Sequence, residues 1–247
     1  MKLQGSTALV TGVGAENLGH HFVEQLVARG AKRVYATARR PELIDVPGVE
    51  VLHLDLTDRE SINAAAAVAR DVDLLVNNAA VFAAGLNFTD GDPALIRGLF
   101  DTNVHGTLDV IRAFAPGLAA NGGGAILNVL SSAAWATLDG INVYGASKAA
   151  AWSMTNGLRS ELAGQGTFVS ALIFGMAATP PLRAFADAVA GPGVLDALMT
   201  DPAVIVGRAL DGLESGRLEI LADQLAIDAK AALSSDAESV YQTLGAR

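Results

Sequence analysis

The chain has 247 residues, of which 51% are hydrophobic and 17% charged, and it carries a formal net charge of −9. That length and balance suit one globular domain over residues 1–247 rather than a disordered segment. An acidic chain is poorly matched to nucleic acid or to an anionic membrane surface, so neither is expected as a partner. Without cysteine there is no disulfide framework, no thiolate chemistry and no Cys metal site.

From the amino terminus, MKLQGSTALV enters a strand at once, so no cleaved leader is expected and the cytoplasm is the expected compartment. No apolar run approaches the ~18 residues of a membrane span. Residues 6–19, STALVTGVGAENLG, read as a short apolar strand running into a glycine-rich turn. The stretch HHFVEQLVARG is an amphipathic helix, with Phe22, Val23, Leu26 and Val27 on one side and Gly30 at its end. The pair His20 and His21 lacks acid or Cys partners at ligand spacing, so no metal is expected. KRVYATA follows as a second strand and completes a strand–helix–strand unit.

Further apolar runs at VEVLHL, DLLVNN, AILNVL, TFVSALI and LEIL alternate with helical stretches near 17–29, 59–70, 92–119, 142–163, 201–214 and 223–243. Short, nearly continuous apolar strands alternating with helices mean a parallel sheet covered on both faces. Seven strands with right-handed crossovers give a doubly wound α/β fold. No linker, repeat or low-complexity segment interrupts the alternation. Between Thr179 and Asp201 the chain is bounded by Pro and Gly and rich in apolar residues, which suggests a cover over a site, residues 179–201.

The chemistry concentrates in SSAAWATLDGINVYGASK. Tyr144 and Lys148 stand four apart, on one helix face, and Ser131 lies thirteen residues before the tyrosine, just after an apolar strand. An ammonium beside a phenol favours phenolate and is expected to pull the Tyr144 pKa down from about 10. Such a group can give or take the proton of a carbonyl/alcohol pair. At the amino terminus, glycines let a backbone approach a pyrophosphate while helix N–H groups face its charge.

Taken together these motifs resemble the short-chain dehydrogenase/reductase family, and the resemblance spans nearly the whole chain. Thr11-Gly12 through Gly19 is similar to the family's cofactor loop, with Gly12, Gly14, Asn17, Leu18 and Gly19 as expected contacts. Asp55, with Leu56, matches the adenine-side Asp. Asn77-Asn78-Ala79 resembles the motif that steadies the central sheet, and Asn78 and Ala79 are expected beside the cofactor. Asn103 occupies the family's helix Asn, implied to bend that helix and hold a relay water. Ser131, Tyr144 and Lys148 fit the catalytic Ser and the YxxxK pair. Gly175 to Thr179 resembles the segment whose Thr contacts the nicotinamide. The resemblance implies a Rossmann fold, hydride transfer between a nicotinamide cofactor and a small carbonyl or alcohol, and a homodimer or homotetramer paired through the long helices. Non-redox members (epimerases, dehydratases, dehalogenase-like enzymes) and a dinucleotide sensor without turnover are the alternatives.

Relatives using NAD place an acid at the end of the second strand, roughly 20 residues past the glycine turn. Here ATARRP puts Ala38 there, followed by Arg39 and Arg40, whose guanidinium groups suit the 2′-phosphate of NADP. NADP(H) is therefore expected over NAD(H). The chain departs from the family in a glycine loop one residue longer, with Glu16 in it and Asn17 in place of the middle Gly. Asn17 is expected to take the positive φ that the glycine would have had. Phe174 replaces a Pro and Ala80 replaces a Gly. The expected substrate pocket, apolar or aromatic in preference, is walled by Phe82, Trp135, Phe174, Leu182 and Phe185, with Leu182 and Phe185 of the cover meeting Trp135 and Phe174.

Overall fold

The computed structural model describes residues 1–136 and 140–236. The sheet is built from β1 (Thr7–Thr11), β2 (Arg33–Ala38), β3 (Glu50–His53), β4 (Leu74–Asn77), β5 (Gly124–Val129) and β6 (Thr167–Ile173). Its helices are α1 (Leu18–Ala28), α2 (Arg59–Val68), α3 (Pro93–Phe100), α4 (Thr107–Ala120) and α5 (Asn142–Glu161). After β6 come β7 (Met176–Ala177), α6 (Pro180–Ala190), β8 (Met199–Thr200), α7 (Pro202–Glu214), β9 (Glu219–Leu221) and α8 (Gln224–Ala232). Seven strands pair in the order β3-β2-β1-β4-β5-β6-β9, all parallel, which is the doubly wound Rossmann-like arrangement.

Successive strand residues point to opposite faces, and the core divides accordingly. Val10, Val34, Val76 and Leu127 pack with Phe22, Val23 and Leu26 of α1 and with Ile205 and Leu210 of α7. Leu9, Tyr35, Leu75 and Ile126 pack on the other face with Ile62 of α2, Val110 and Phe114 of α4 and Leu158 of α5. Both faces of each central strand are therefore covered, which is why these strands read as unbroken apolar runs.

The expected 92–119 helix runs from α3 through a π-helical segment, Asp101–Gly106, into α4. The expected helix at 223–243 is shorter: α8 ends at Ala232, and positions 237–243 lie outside the described residues. The expected cover over 179–201 consists of α6 and a two-stranded parallel pair, β7–β8, that closes its base. Among the described residues no helix is long and apolar enough to cross a membrane.

Candidate active site

The glycine loop sits where β1 hands over to α1. Gly12 has φ 72°, and a Cβ there would stand 2.6 Å from the Ala79 Cα. Gly19 is equally confined, since a Cβ would meet the Gly12 carbonyl oxygen at 2.7 Å. The β4 end is laced to this turn. Asn78 Nδ2 donates to the Thr11 and Gly12 carbonyls at 2.9 and 3.1 Å, and Thr11 Oγ1 accepts from the Asn78 and Ala79 N–H groups.

Asn17 does not take the left-handed conformation expected of it. It is extended (φ −103°, ψ 175°) and caps α1, its Oδ1 accepting from the His20 N–H at 3.0 Å and the Gly14 N–H at 3.3 Å. Its Nδ2 returns to the Gly12 carbonyl at 3.0 Å, so one side chain ties both ends of the loop to the helix start. The extra residue is absorbed by Glu16 instead, which has φ 55°. A capping Asn must be extended to reach the helix N–H groups, so the turn falls one position earlier. Leu18 is buried in the core beneath the loop, and no acid occupies the first turn of α1. His20 and His21 each approach Glu24, at 3.3 and 3.6 Å.

At the end of the second strand, Ala38 pairs with His53 across β2 and β3, and Arg39 and Arg40 are exposed just beyond. Asp55 forms a strand-end turn, its Oδ1 accepting from Thr57 N–H at 2.9 Å and Thr57 Oγ1 at 2.8 Å, while Asp58 caps α2. Burial opposes ionisation of Asp55, but the Thr57 bonds and the charges of Arg39 and His53 outweigh it and hold the carboxyl below its ordinary range. Leu56 is buried, and Gly106 passes so close that a Cβ would lie 2.4 Å from the Leu56 carbonyl oxygen.

At the centre, Ser131 is buried at the end of β5, Tyr144 stands in the first turn of α5, and Lys148 follows one turn later. Lys148 Nζ lies 5.7 Å from the Tyr144 ring centroid and donates to the Val129 carbonyl at 3.0 Å, and the neighbouring Ser131 hydroxyl favours the ionised phenol. The expected fall in the tyrosine pKa is not what this arrangement produces. Burial pushes Tyr144 up to about 12, with the neighbouring Ser131 hydroxyl only partly offsetting it. Burial likewise takes Lys148 down to about 8. Both groups lose hydration, and that loss exceeds any attraction between them.

Asn103 lies in the π-helical segment. Its Oδ1 accepts from the Val81 N–H at 2.8 Å, and its Nδ2 donates to the Val81 carbonyl at 2.9 Å and to Ser147 Oγ at 3.1 Å. Ser147 Oγ in turn donates to the Tyr144 carbonyl at 2.7 Å. Asn103 therefore fixes the chain entering Phe82 and the turn carrying Tyr144 together. A cavity of about 10 Å³ adjoins Asn103, Lys148, Thr107 and Asn77, enough for one water, and Asn77 Oδ1 is buried there without a partner among the described residues.

Sequence reasoning missed the polar ladder beside this cavity. Asn77 Nδ2 donates to Asn128 Oδ1 at 2.8 Å, and Asn128 Nδ2 to Thr155 Oγ1 at 2.9 Å, joining β4, β5 and α5. An Asn within the otherwise apolar AILNVL was the available signal.

The expected pocket wall divides. Phe82 meets Tyr144 edge-on at 5.1 Å, and Phe185 of α6 meets Phe82 at 5.2 Å. Trp135 instead faces Trp152 at 5.9 Å, with Lys230 Nζ of α8 4.9 Å from its ring. Phe174 packs against the α1-side core. Phe185 thus meets Phe82 rather than Trp135 or Phe174. Leu182 is half-buried on α6, and Thr179 precedes that helix, its carbonyl accepting from the Arg183 N–H at 2.9 Å. Trp135 does line a cavity of about 220 Å³, but this opens between Phe88 and the α5 face that carries Ala146 and Ala149.

Residues 6–189 match the family model described as short chain dehydrogenase. Sorbitol dehydrogenase of Cereibacter sphaeroides is 36% identical over 186 residues, 71% of this chain and 72% of that protein. L-xylulose reductase of Mus musculus is 37% identical over 165 residues, 65% of this chain and 67% of that protein. A short chain dehydrogenase from Burkholderia cenocepacia J2315, solved in complex with NADP, is 34% identical, with a TM-score of 0.88 and 99% of each chain covered. The chain belongs to the short-chain dehydrogenase family.

Proposed function

We propose that this chain, as a single catalytic domain over residues 1–247, interconverts an apolar or aromatic ketone or aldehyde and its alcohol with NADP(H). The observation that carries the reading is the cluster in which buried Ser131 and Lys148 adjoin the partly buried Tyr144, with Lys148 Nζ 5.7 Å from the tyrosine ring centroid. A protonated phenol at neutral pH is what alkoxide formation needs from its acid.

The residues present suit a dinucleotide. The acid-free first turn of α1 offers N–H groups to a pyrophosphate, and Gly12, Gly14, Asn17 and Gly19 keep the loop close to the backbone beneath it. Arg39 and Arg40 receive the 2′-phosphate, Asp55 borders the adenine, and Asn78 and Ala79 flank the ribose side. Gly175 and Thr179 hold the nicotinamide end. The bound nicotinamide supplies hydride chemistry.

Tyr144 protonates the nascent alkoxide, or deprotonates the alcohol in reverse. Ser131 donates to the carbonyl oxygen where charge develops. Lys148 binds the ribose hydroxyls, and a water in the small cavity beside Asn103 refills the proton. Phe82 and Phe185 form the apolar wall over the tyrosine, and α6 is the lid. The enzyme is cytoplasmic and works as a homodimer or homotetramer paired through α4 and α5.

The test is incubation of the purified protein with NADPH and a ketone panel, following loss of the reduced-nicotinamide absorbance. Turnover of bulky apolar ketones supports the reading. Preference for small charged hydroxy acids refutes the apolar pocket, and cofactor binding with no turnover of any carbonyl leaves the sensor. A monomeric mass by light scattering at micromolar concentration refutes the assembly.

A further inference from the structure

A single peptide group joins three elements of the site. The Phe174–Gly175 peptide accepts at its carbonyl from the Ser132 N–H at 2.9 Å, so one end holds the loop that begins at Ser131. Its N–H, on Gly175, donates to Asp223 Oδ2 at 2.7 Å. Asp223 is 4% exposed, and its other oxygen accepts from the Ala226 N–H at 2.8 Å as the N-cap of α8. The approach between α8 and this peptide leaves no slack: a Cβ on Gly175 would lie 2.5 Å from Leu225 Cβ.

An N-cap needs only one acceptor, and a hydroxyl serves as well as a carboxylate. The second oxygen of Asp223 is therefore surplus to the helix and is spent on Gly175. A buried charge-assisted bond is shorter and stiffer than a neutral one. It acts on the first residue of the Gly175–Thr179 segment, which continues into the two-residue pairing of β7 with β8.

We propose that Asp223 is a positioning residue for dinucleotide binding: through Gly175 it presets the segment that receives the nicotinamide end of the cofactor. This rests on the oxidoreductase reading given above. Asp223 touches neither cofactor nor substrate. It acts by sparing the segment an ordering cost at the moment of binding.

Asp223→Ser separates the two duties, because the serine hydroxyl caps α8 but is too short to reach Gly175. Expected are a rise of about tenfold or more in the NADPH Kd, faster hydrogen exchange at the Gly175 amide, and a kcat at saturating cofactor that falls by a smaller factor than KM rises. Asp223→Asn, which keeps the size and loses one of the two acceptors, should fall between wild type and Ser. It takes over the test if the Ser variant does not fold. A Kd within twofold of wild type with unchanged Gly175 exchange overturns the proposal and leaves Asp223 a cap alone, without touching the assigned reaction. Wild-type protein that binds neither NADPH nor NADH overturns both.

Discussion

Phe82 stands edge-on to Tyr144, with ring centroids 5.1 Å apart and planes at 79°. The same ring also meets Phe185 of α6, at 5.2 Å. Helix α6 therefore reaches the proposed proton donor through one aromatic side chain. Asn103 fixes that side chain by gripping both polar groups of Val81. Edge-to-face pairs contribute about 0.5–1.5 kcal/mol each beyond burial. Phe82→Ala should raise KM for aromatic ketones about tenfold and leave KM for small aliphatic ketones near its original value. Equal losses across a ketone panel would show that Phe82 serves folding, not substrate choice.

Tyr144→Phe keeps the ring, and hence the Phe82 contact, while deleting the proton. Cofactor binding should persist, and turnover should fall by about 10²–10⁴, the usual contribution of a general acid. Retention of more than a tenth of wild-type turnover would mean another group supplies the proton.

Much of this site was legible from spacing and pattern. Strand–turn–helix alternation located the glycine loop, and the intervals among Ser131, Tyr144 and Lys148 survive as spatial neighbours because a strand end and one helix face are rigid. What escaped depends on sequence-distant pairing. Asn77 and Asn128 are register partners across β4 and β5, and neither position alone announces a ladder to Thr155. The expected contacts of Trp135 with Leu182 and Phe185 do not form, because a loop side chain has no period to fix its direction. Trp135 turns toward Trp152 and Lys230, where α8 supplies a cation. The tyrosine pKa went the other way because burial, invisible in the spacing, outweighs the neighbouring charge.

Lys148 carries a cost to folding that can be read against pH. Burial lowers its pKa from 10.5 to about 8, which corresponds to about 3 kcal/mol against the charged form. Below pH 8 the lysine is charged in both folded and unfolded chains, and the folded state bears the full penalty. Between pH 8 and 10.5 the folded lysine is neutral while the unfolded one still binds a proton, so the penalty fades and stability rises with pH. Lys148→Met should therefore abolish turnover yet stabilise the fold by up to about 3 kcal/mol at pH 7. Urea denaturation at pH 7 and pH 10 checks this, and an equal gain at both would assign the effect to packing.

Glu16 combines backbone strain with an unhelpful charge. Its φ of 55° lies in the left-handed region, which costs a non-glycine residue about 1–2 kcal/mol. Glu16→Gly should relieve the strain and remove the charge, giving up to about 1 kcal/mol of stability after the added freedom of the unfolded glycine is counted. Glu16→Lys keeps the strain but reverses the charge, so it should tighten NADPH binding without raising Tm. If both variants raise Tm equally, strain at this position is not what limits the loop.

Cofactor preference turns on Arg39 against Glu16. Arg39 follows Ala38 at the end of β2, exposed, and its charge is felt by Asp55 across the turn. No acid stands at Ala38 to repel a 2′-phosphate, and Arg40, equally exposed, follows directly. Glu16 opposes phosphate from an exposed loop, where solvent and salt weaken charges that are not in contact. A guanidinium bonding a phosphate directly is short-ranged and bidentate, so it should prevail. NADPH should then bind more tightly than NADH, by a margin that shrinks as salt is raised. Arg39→Asp should reverse the order by restoring an acid near the ribose hydroxyls. Dissociation constants for both cofactors at two salt concentrations decide it: equal or tighter NADH binding by the wild-type protein would leave Arg39 and Arg40 as solvated loop residues.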